Sequence, residues 1–209
     1  KVYFSIQFSI IIITFGMLWR YDVYETAYDA FNQALFHGVS LATTAGITNE
    51  EVSHWPLFIP MLLLISTFIG GCAGSVGGGL KVIRVLLLYL QGVRELKRLV
   101  HPNAVYTLQV GNRALPERVI EAVWGFFFVY SLIFLLSFFA LMATGADAYS
   151  AFVGTTSALN NVGIGMGDFT SNYVEVNSAA KWVLIITMLF GRLEIFTLLI
   201  LFTPSFWRD

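Results

Sequence analysis

Long apolar runs alternate along this chain with short polar clusters, and the runs fall into two length classes. Four are long: Val2 to Trp19, Trp55 to about Leu90, Val119 to about Ala143, and Ala179 to about Phe206. A helix needs about 20 apolar residues to cross a hydrocarbon core of roughly 30 Å, so these four predict membrane spans. Two are short, Ala30 to Thr43 and Ala148 to Asn160, each moderately apolar and followed by glycine. Segments of that length predict re-entrant helices, which dip into the membrane and return as extended chain. The fold class that follows is an all-α integral membrane protein.

Composition agrees with the pattern. Of 209 residues, 57% are hydrophobic and 12% charged, and the mean hydropathy of +0.74 is above that of ordinary soluble domains. A net charge of −1 supplies no basic field for nucleic acid, so none is expected as a partner. The single cysteine, Cys72, excludes an internal disulfide and a cysteine-based metal site. The chain starts at Lys1 with no signal-peptide pattern before its first apolar run, and it reads as a piece of a longer polypeptide.

Position of charge sets the orientation, because cytoplasmic loops carry excess Lys and Arg. Lys81, Arg84, Arg94, Lys97, Arg98, Arg113 and Arg118 lie between the second and third spans, which places that link in the cytoplasm with Lys1 and Arg208. The opposite ends carry Asp22, Glu25, Asp29, Glu50, Glu51, Asp147, Asp168 and Glu175 against only Arg20 and Lys181. Singly, such carboxylates solvate loops. Together they would concentrate cations at an outer mouth.

The order span, short helix, glycine-containing loop, span occurs twice. Placing Gly46 over Gly163 aligns Ser40 with Ser157 and Ile47 with Ile164, stacking SLATTAGI on SALNNVGI. Further on, Gly70 falls over Gly191 and Leu80 over Leu193, with an insertion in the first copy. That insertion, about nine residues, lies within the run from Gly70 to Gly79. An unbroken helix from Trp55 to Leu90 would be about 54 Å long, far more than the membrane thickness. Each glycine costs a helix interior up to about 1 kcal/mol relative to alanine, so the run predicts a break. Non-helical backbone at membrane depth is tolerated where it is buried in protein or lines a water-filled path. The units predicted are residues 1–100 and 118–209, joined by a cytoplasmic linker, 101–117.

The loops Thr43-Thr44-Ala45-Gly46 and Asn160-Asn161-Val162-Gly163 have the residue types of a cation filter. Backbone carbonyls can replace a cation's hydration shell, and glycine permits the angles this requires. The alternative for either loop alone is an ordinary glycine-terminated helix followed by a turn. The run GGCAGSVGGGLKV lacks the Gly-Lys-Ser/Thr ending of a phosphate-binding loop. It is left as an intramembrane loop or a close-packing surface of small residues between helices. Arg192 and Glu194 stand inside the fourth span, where a charge faces a cavity or a partner. His37, His54 and His101 have no ligand spacing, and no nucleophile, base or metal cluster suggests an enzyme.

The Thr-Thr-Ala-Gly loop, the run GGCAGSVGGGLKVIRVLLL and the ending GRLEIFTLLILFTPSFWR resemble the Trk/Ktr/HKT superfamily of potassium transporters, closest to its TrkH branch. The resemblance covers nearly the whole chain and implies the third and fourth of four repeats around one pseudo-fourfold, potassium-channel-like pore. It implies that Thr44, Ala45, Gly46, Asn161, Val162 and Gly163 offer potassium-coordinating positions, flanked by Thr43 and Asn160. Asparagine in the second loop stands where potassium channels usually have threonine. The gate implied comprises Gly70, Gly71, Gly74, Ser75, Gly77, Gly78 and Gly79 below the filter, with Arg192 beneath as a positive barrier. Also implied are multi-pass insertion in the bacterial inner membrane, N-terminal repeats on the same polypeptide and a homodimer. A cytoplasmic ring of TrkA-like regulatory subunits would dock on that face, for which Arg94, Lys97, Arg98 and Arg113 are candidates. Potassium is the one cofactor expected here, with NAD or ATP on the ring rather than on this chain. The competing function is a secondary transporter with a midplane substrate site at the broken helix. A third reading is a membrane scaffold whose glycines only pack helices.

Overall fold

The computed structural model describes residues 2–50, 52–72, 74–75, 77–102, 104, 106–110, 113–169 and 176–193. Among the described residues, seven α-helices carry the fold: α1 Val2–Arg20, α2 Ala27–Ala42, α3 Phe58–Ile69, α4 Val82–Val100, α5 Glu117–Ala143, α6 Ala148–Leu159 and α7 Ser178–Arg192. One short antiparallel pair, β1 Gln109–Val110 with β2 Arg113–Ala114, interrupts the connection from α4 to α5. Among the described residues, α1 and α5 are long and apolar enough to cross a membrane by themselves. At 27 residues, α5 is about 40 Å long. Both helices turn large apolar side chains outward, including Phe4, Phe8 and Ile12 on α1 and Phe128, Leu136 and Phe139 on α5.

Each short helix starts on a side-chain cap. The Thr26 hydroxyl accepts the Asp29 N–H (3.1 Å) and donates to the Asp29 carboxylate (2.6 Å) at the head of α2. The Asp147 carboxylate accepts the N–H groups of Tyr149 and Ser150 at the head of α6. Such caps satisfy donors that a helix start leaves without partners. α2 packs between α1 and α3, and α6 packs against both α5 and α7. Helices α3 and α6 touch across the units, and so do α4 and α5. Leu18, Leu41, Ile59, Leu63 and Leu64 of the first unit share one buried cluster with Val153, Val162, Ile164 and Met166 of the second.

The stretch from Trp55 to Leu90 is not one helix. α3 is only 12 residues long and ends at Gly70, whose φ of 65° no helix accommodates. After the glycine run the chain resumes as α4, which continues to Val100. Its last turns expose Glu95, Leu96, Lys97, Arg98 and Leu99. Arg94 departs from its expected place as a surface cation. It is 8% exposed, with its guanidinium directed to Glu95 and to Glu117 of α5, so it is not available for docking. Arg98 is more exposed and pairs with Glu95 at 3.3 Å. Glu194 and the chain beyond it lie outside the described residues.

Candidate functional site

Both short helices end in the same hydrogen-bonded turn, in the register the sequence alignment gives. At the end of α2 the Thr44 N–H donates to Leu41 O (2.9 Å) and the Ala45 N–H to Ser40 O (2.8 Å). At the end of α6 the Asn161 N–H donates to Ala158 O (3.1 Å) and the Val162 N–H to Ser157 O (2.9 Å). This pair of bonds defines the Schellman motif, whose pivotal residue is left-handed and ordinarily glycine. Here that residue is Thr44 (φ 59°) or Asn161 (φ 51°), and the glycines Gly46 (φ 69°) and Gly163 (φ 83°) follow two positions later. A glycine-terminated helix is thus not what either loop is. A left-handed β-branched residue is costly and persists where its surroundings hold it. Ala45 and Val162 keep negative φ, so the handedness alternates along both loops.

The two loops adjoin. A methyl group built on Gly46 would collide with the Val162 carbonyl, lying 2.8 Å from its carbon. Around them the side chains brace rather than converge. The Ser40 hydroxyl donates to Ile47 O (2.6 Å) and accepts the Ile47 N–H (2.8 Å), pinning the returning strand to α2. Thr43 donates back to Val39 O. Asn161 donates through Nδ2 to Met188 O of α7 (3.3 Å). Asn160 is fully buried, accepting from Tyr130 (2.5 Å) and donating to Thr67 (2.8 Å). Both asparagine side chains are turned into the scaffold.

The glycine run folds directly against these loops. The Gly78 N–H donates to Thr44 Oγ1 (3.1 Å), and the Gly78 backbone bears on the Asn160 carbonyl oxygen, where a side chain would collide. A Cβ on Gly77 would lie 2.8 Å from Thr44 Oγ1 and 3.4 Å from Thr43 O. Gly79 rests on the Thr67 and Phe68 carbonyls, the Leu80 N–H donates to Phe68 O (2.9 Å), and the Val82 N–H donates to Gly71 O (3.1 Å). Ser75 accepts the Gly77 N–H. Gly74 (φ 89°) is exposed, with nothing near the place of a Cβ.

Beside the glycine backbone is a cavity of about 190 Å³, lined by Gly77, Gly78, Gly79, Tyr130, Arg192 and two cations that the sequence reading placed only as cytoplasmic charges, Lys81 and Arg84. Arg84 lies over the Phe126 ring at 4.0 Å. At the outer end, Tyr24 donates to Glu50 (2.6 Å) and accepts the Trp55 indole N–H (3.1 Å). Burial first, and that bond to Glu50 second, push its phenol up to about 12. His37 is fully buried behind the first loop, its Nδ1 3.1 Å from Gln33 O and its ring edge-on to Trp55.

Residues 8–208 match the family model described as "TrkH: Cation transport protein". The chain belongs to the TrkH family. It is 58% identical to the Trk system potassium uptake protein TrkH of Escherichia coli K12, over its whole length and 43% of that protein. Identity to the TrkG protein of the same organism is 34%, again over the whole chain and 43% of the relative. The crystal structure of the potassium transporter TrkH from Vibrio parahaemolyticus superposes with a TM-score of 0.91 at 58% identity, covering 98% of this chain and 44% of that one. This chain therefore spans less than half the length of the relatives it matches. Membership places it in a transport family rather than among enzymes, in the bacterial inner membrane, with the mostly helical architecture of the solved relative.

Proposed function

We propose that this chain is the C-terminal half of a potassium uptake subunit, contributing two of four pore-loop units to one conduction path closed by a glycine-loop gate. One observation carries the reading: Thr43 O, Asn160 O and Thr44 Oγ1, from both loops, meet on the backbone of Gly77 and Gly78. Alternating handedness along each loop is a backbone pattern in which successive carbonyls can share one side, as coordination of a bare cation requires. Potassium sheds its water there onto peptide oxygens. Exposed Asp22, Glu25, Asp29 and Glu50 raise the cation concentration outside. Below, the glycine backbone occupies the exit, and the cavity with Lys81, Arg84 and Arg192 opposes a cation while the loop is in place.

The units of this reading are residues 1–100 and 118–209, each a membrane helix, a pore helix and a second span, with α3, the glycine loop and α4 as a broken second span. Its remaining sides belong to N-terminal repeats of the same polypeptide. Ala45 is exposed although Val162, in the same register, is buried, and α2 leaves Leu35, Phe36 and Val39 uncovered. Homodimerisation and control by a TrkA-like ring that binds NAD or ATP complete the proposal for the whole protein. Flux through the full-length protein in liposomes tests the filter. Gly46→Ser, strained at φ 69° and obstructed by Val162, is expected to abolish potassium-over-sodium selectivity. Unchanged selectivity refutes the filter assignment.

A further inference from the structure

Three buried polar groups from three different elements form one chain of hydrogen bonds. Tyr130, on α5, donates to Asn160 Oδ1 at 2.5 Å; Asn160 Nδ2 donates to Thr67 Oγ1 at 2.8 Å; Thr67, on the last turn of α3, donates to Leu64 O at 2.6 Å. Asn160 and Thr67 are fully buried and Tyr130 is 4% exposed. Partners 93 residues apart in sequence meet here, both fully buried. Loss of one partner would leave a buried amide or hydroxyl unsatisfied.

Two of these residues, Asn160 and Thr67, also bear on the glycine run. The main-chain carbonyl of Asn160 bears on Gly78, in register with Thr43 O beside Gly77. Thr67 and Phe68 hold the next residues of the glycine run, through the close approach of Gly79 to the Thr67 carbonyl and the Leu80 N–H donated to Phe68 O. A shift of the last turn of α3 that releases the loop therefore pulls on the Asn160 side chain. A shift of Asn160 likewise tilts the carbonyl at the floor of the second loop. Site atoms must be held to about 0.5 Å for geometry-based discrimination, and the supporting bonds set that tolerance.

The geometry points to Tyr130 and Thr67 as positioning residues that fix the Asn160 carbonyl and couple the glycine loop to ion selection. This rests on the filter-and-gate reading above. Neither hydroxyl is a potassium ligand; both act through Asn160.

The test is the potassium-to-sodium flux ratio of full-length protein in liposomes, for Tyr130→Phe, Thr67→Val and Thr67→Ser. Each of the first two removes one hydroxyl at nearly constant volume. Thr67→Ser keeps the acceptor and serves as the rescue. The ratio is expected to fall at least about 5-fold in Tyr130→Phe and Thr67→Val and to stay at the parent value in Thr67→Ser. Should Tyr130→Phe not fold, the two Thr67 variants decide. A purely structural role would lower the melting temperature of Thr67→Val and leave the ratio of the surviving protein unchanged, and that result overturns the proposal. Gly46→Ser, measured beside them, separates the two failures. If it collapses the ratio while Thr67→Val does not, only the coupling is wrong. If it too leaves the ratio unchanged, the filter assignment has failed and the coupling with it.

Discussion

Gly78 is the position where the gate reading makes its sharpest demand. Its φ is not in the left-handed range, so alanine meets no backbone penalty there and the whole effect of Gly78→Ala is steric. The added methyl would lie 2.5 Å from the Asn160 carbonyl carbon and 3.0 Å from its Cα, with the carbonyl oxygen nearer still. Carbon atoms rest about 3.5 to 4.0 Å apart, so the loop must withdraw by about 1 Å or more from the filter floor. The obstructing atoms are backbone held by the α6 terminal turn and by the Tyr130 and Thr67 bonds, and they cannot rotate away. Overpacking of this kind costs about 1 to 3 kcal/mol. Borne by the closed state alone, that cost shifts the open-to-closed ratio by about 5- to 150-fold. Rubidium or potassium flux into liposomes carrying the full-length protein, without activator, should rise accordingly. Gly92→Ala is the control, since that helix glycine has open space around it and an ordinary φ, and flux should not change. Flux at or below the parent level in monodisperse Gly78→Ala protein would falsify the idea that contact with Asn160 holds the loop shut.

Thr44→Val removes the acceptor of the buried Gly78 N–H at constant shape, at a cost of about 1 to 3 kcal/mol to the closed loop. Basal flux should rise in that variant and stay near the parent value in Thr44→Ser. The Tyr24 phenol titrates from 10.0 in the unfolded chain to about 12 when folded. The folded state thus retains a proton that the unfolded state loses, and the stability it supplies is present below pH 10 and declines as pH rises to about 12. Thermal unfolding followed across that window should show a smaller decline in Tyr24→Phe than in the parent protein. Glu117→Gln should change the melting temperature little, because the Glu117 side chain is 74% exposed and stands 3.8 Å from Arg94. A drop equivalent to more than about 1 kcal/mol would show that Arg94 depends on it.

The terminal turns of α2 and α6 were legible because equivalent positions repeat locally. Stacking Ser40 on Ser157 and Gly46 on Gly163 gives the register in which the φ signs and the Schellman bonds recur. The end of α3 at Gly70 lies where length and glycine content make a continuous helix costly. What the pattern hid was long-range. Tyr130 sits in an aromatic-rich span, FFFVYSLIFLLSFF, and looks like any membrane aromatic until Asn160 is brought beneath it. Thr67 likewise reads as one small polar residue in an apolar helix, and nothing local marks its partner in the other unit. Left-handed Thr44 was missed for another reason. Propensity assigns that conformation to the nearby glycine, and tertiary contacts with Gly78 and the adjoining loop override it. Arg94 was taken for a surface charge because its neighbours Lys97 and Arg98 are, although α4 continues far enough to turn it toward α5.

One asymmetry between the two units matters beyond their own geometry. α3 stops at Gly70, whereas α7 continues as helix through the corresponding Gly191, which instead lets that helix approach the end of α6 closely. Among the described residues the second unit has no counterpart of the glycine run. On the gate reading proposed above, unblocking the exit is then a single-element event, tuned by substitutions in one stretch of sequence while the facing half specialises in choosing the ion.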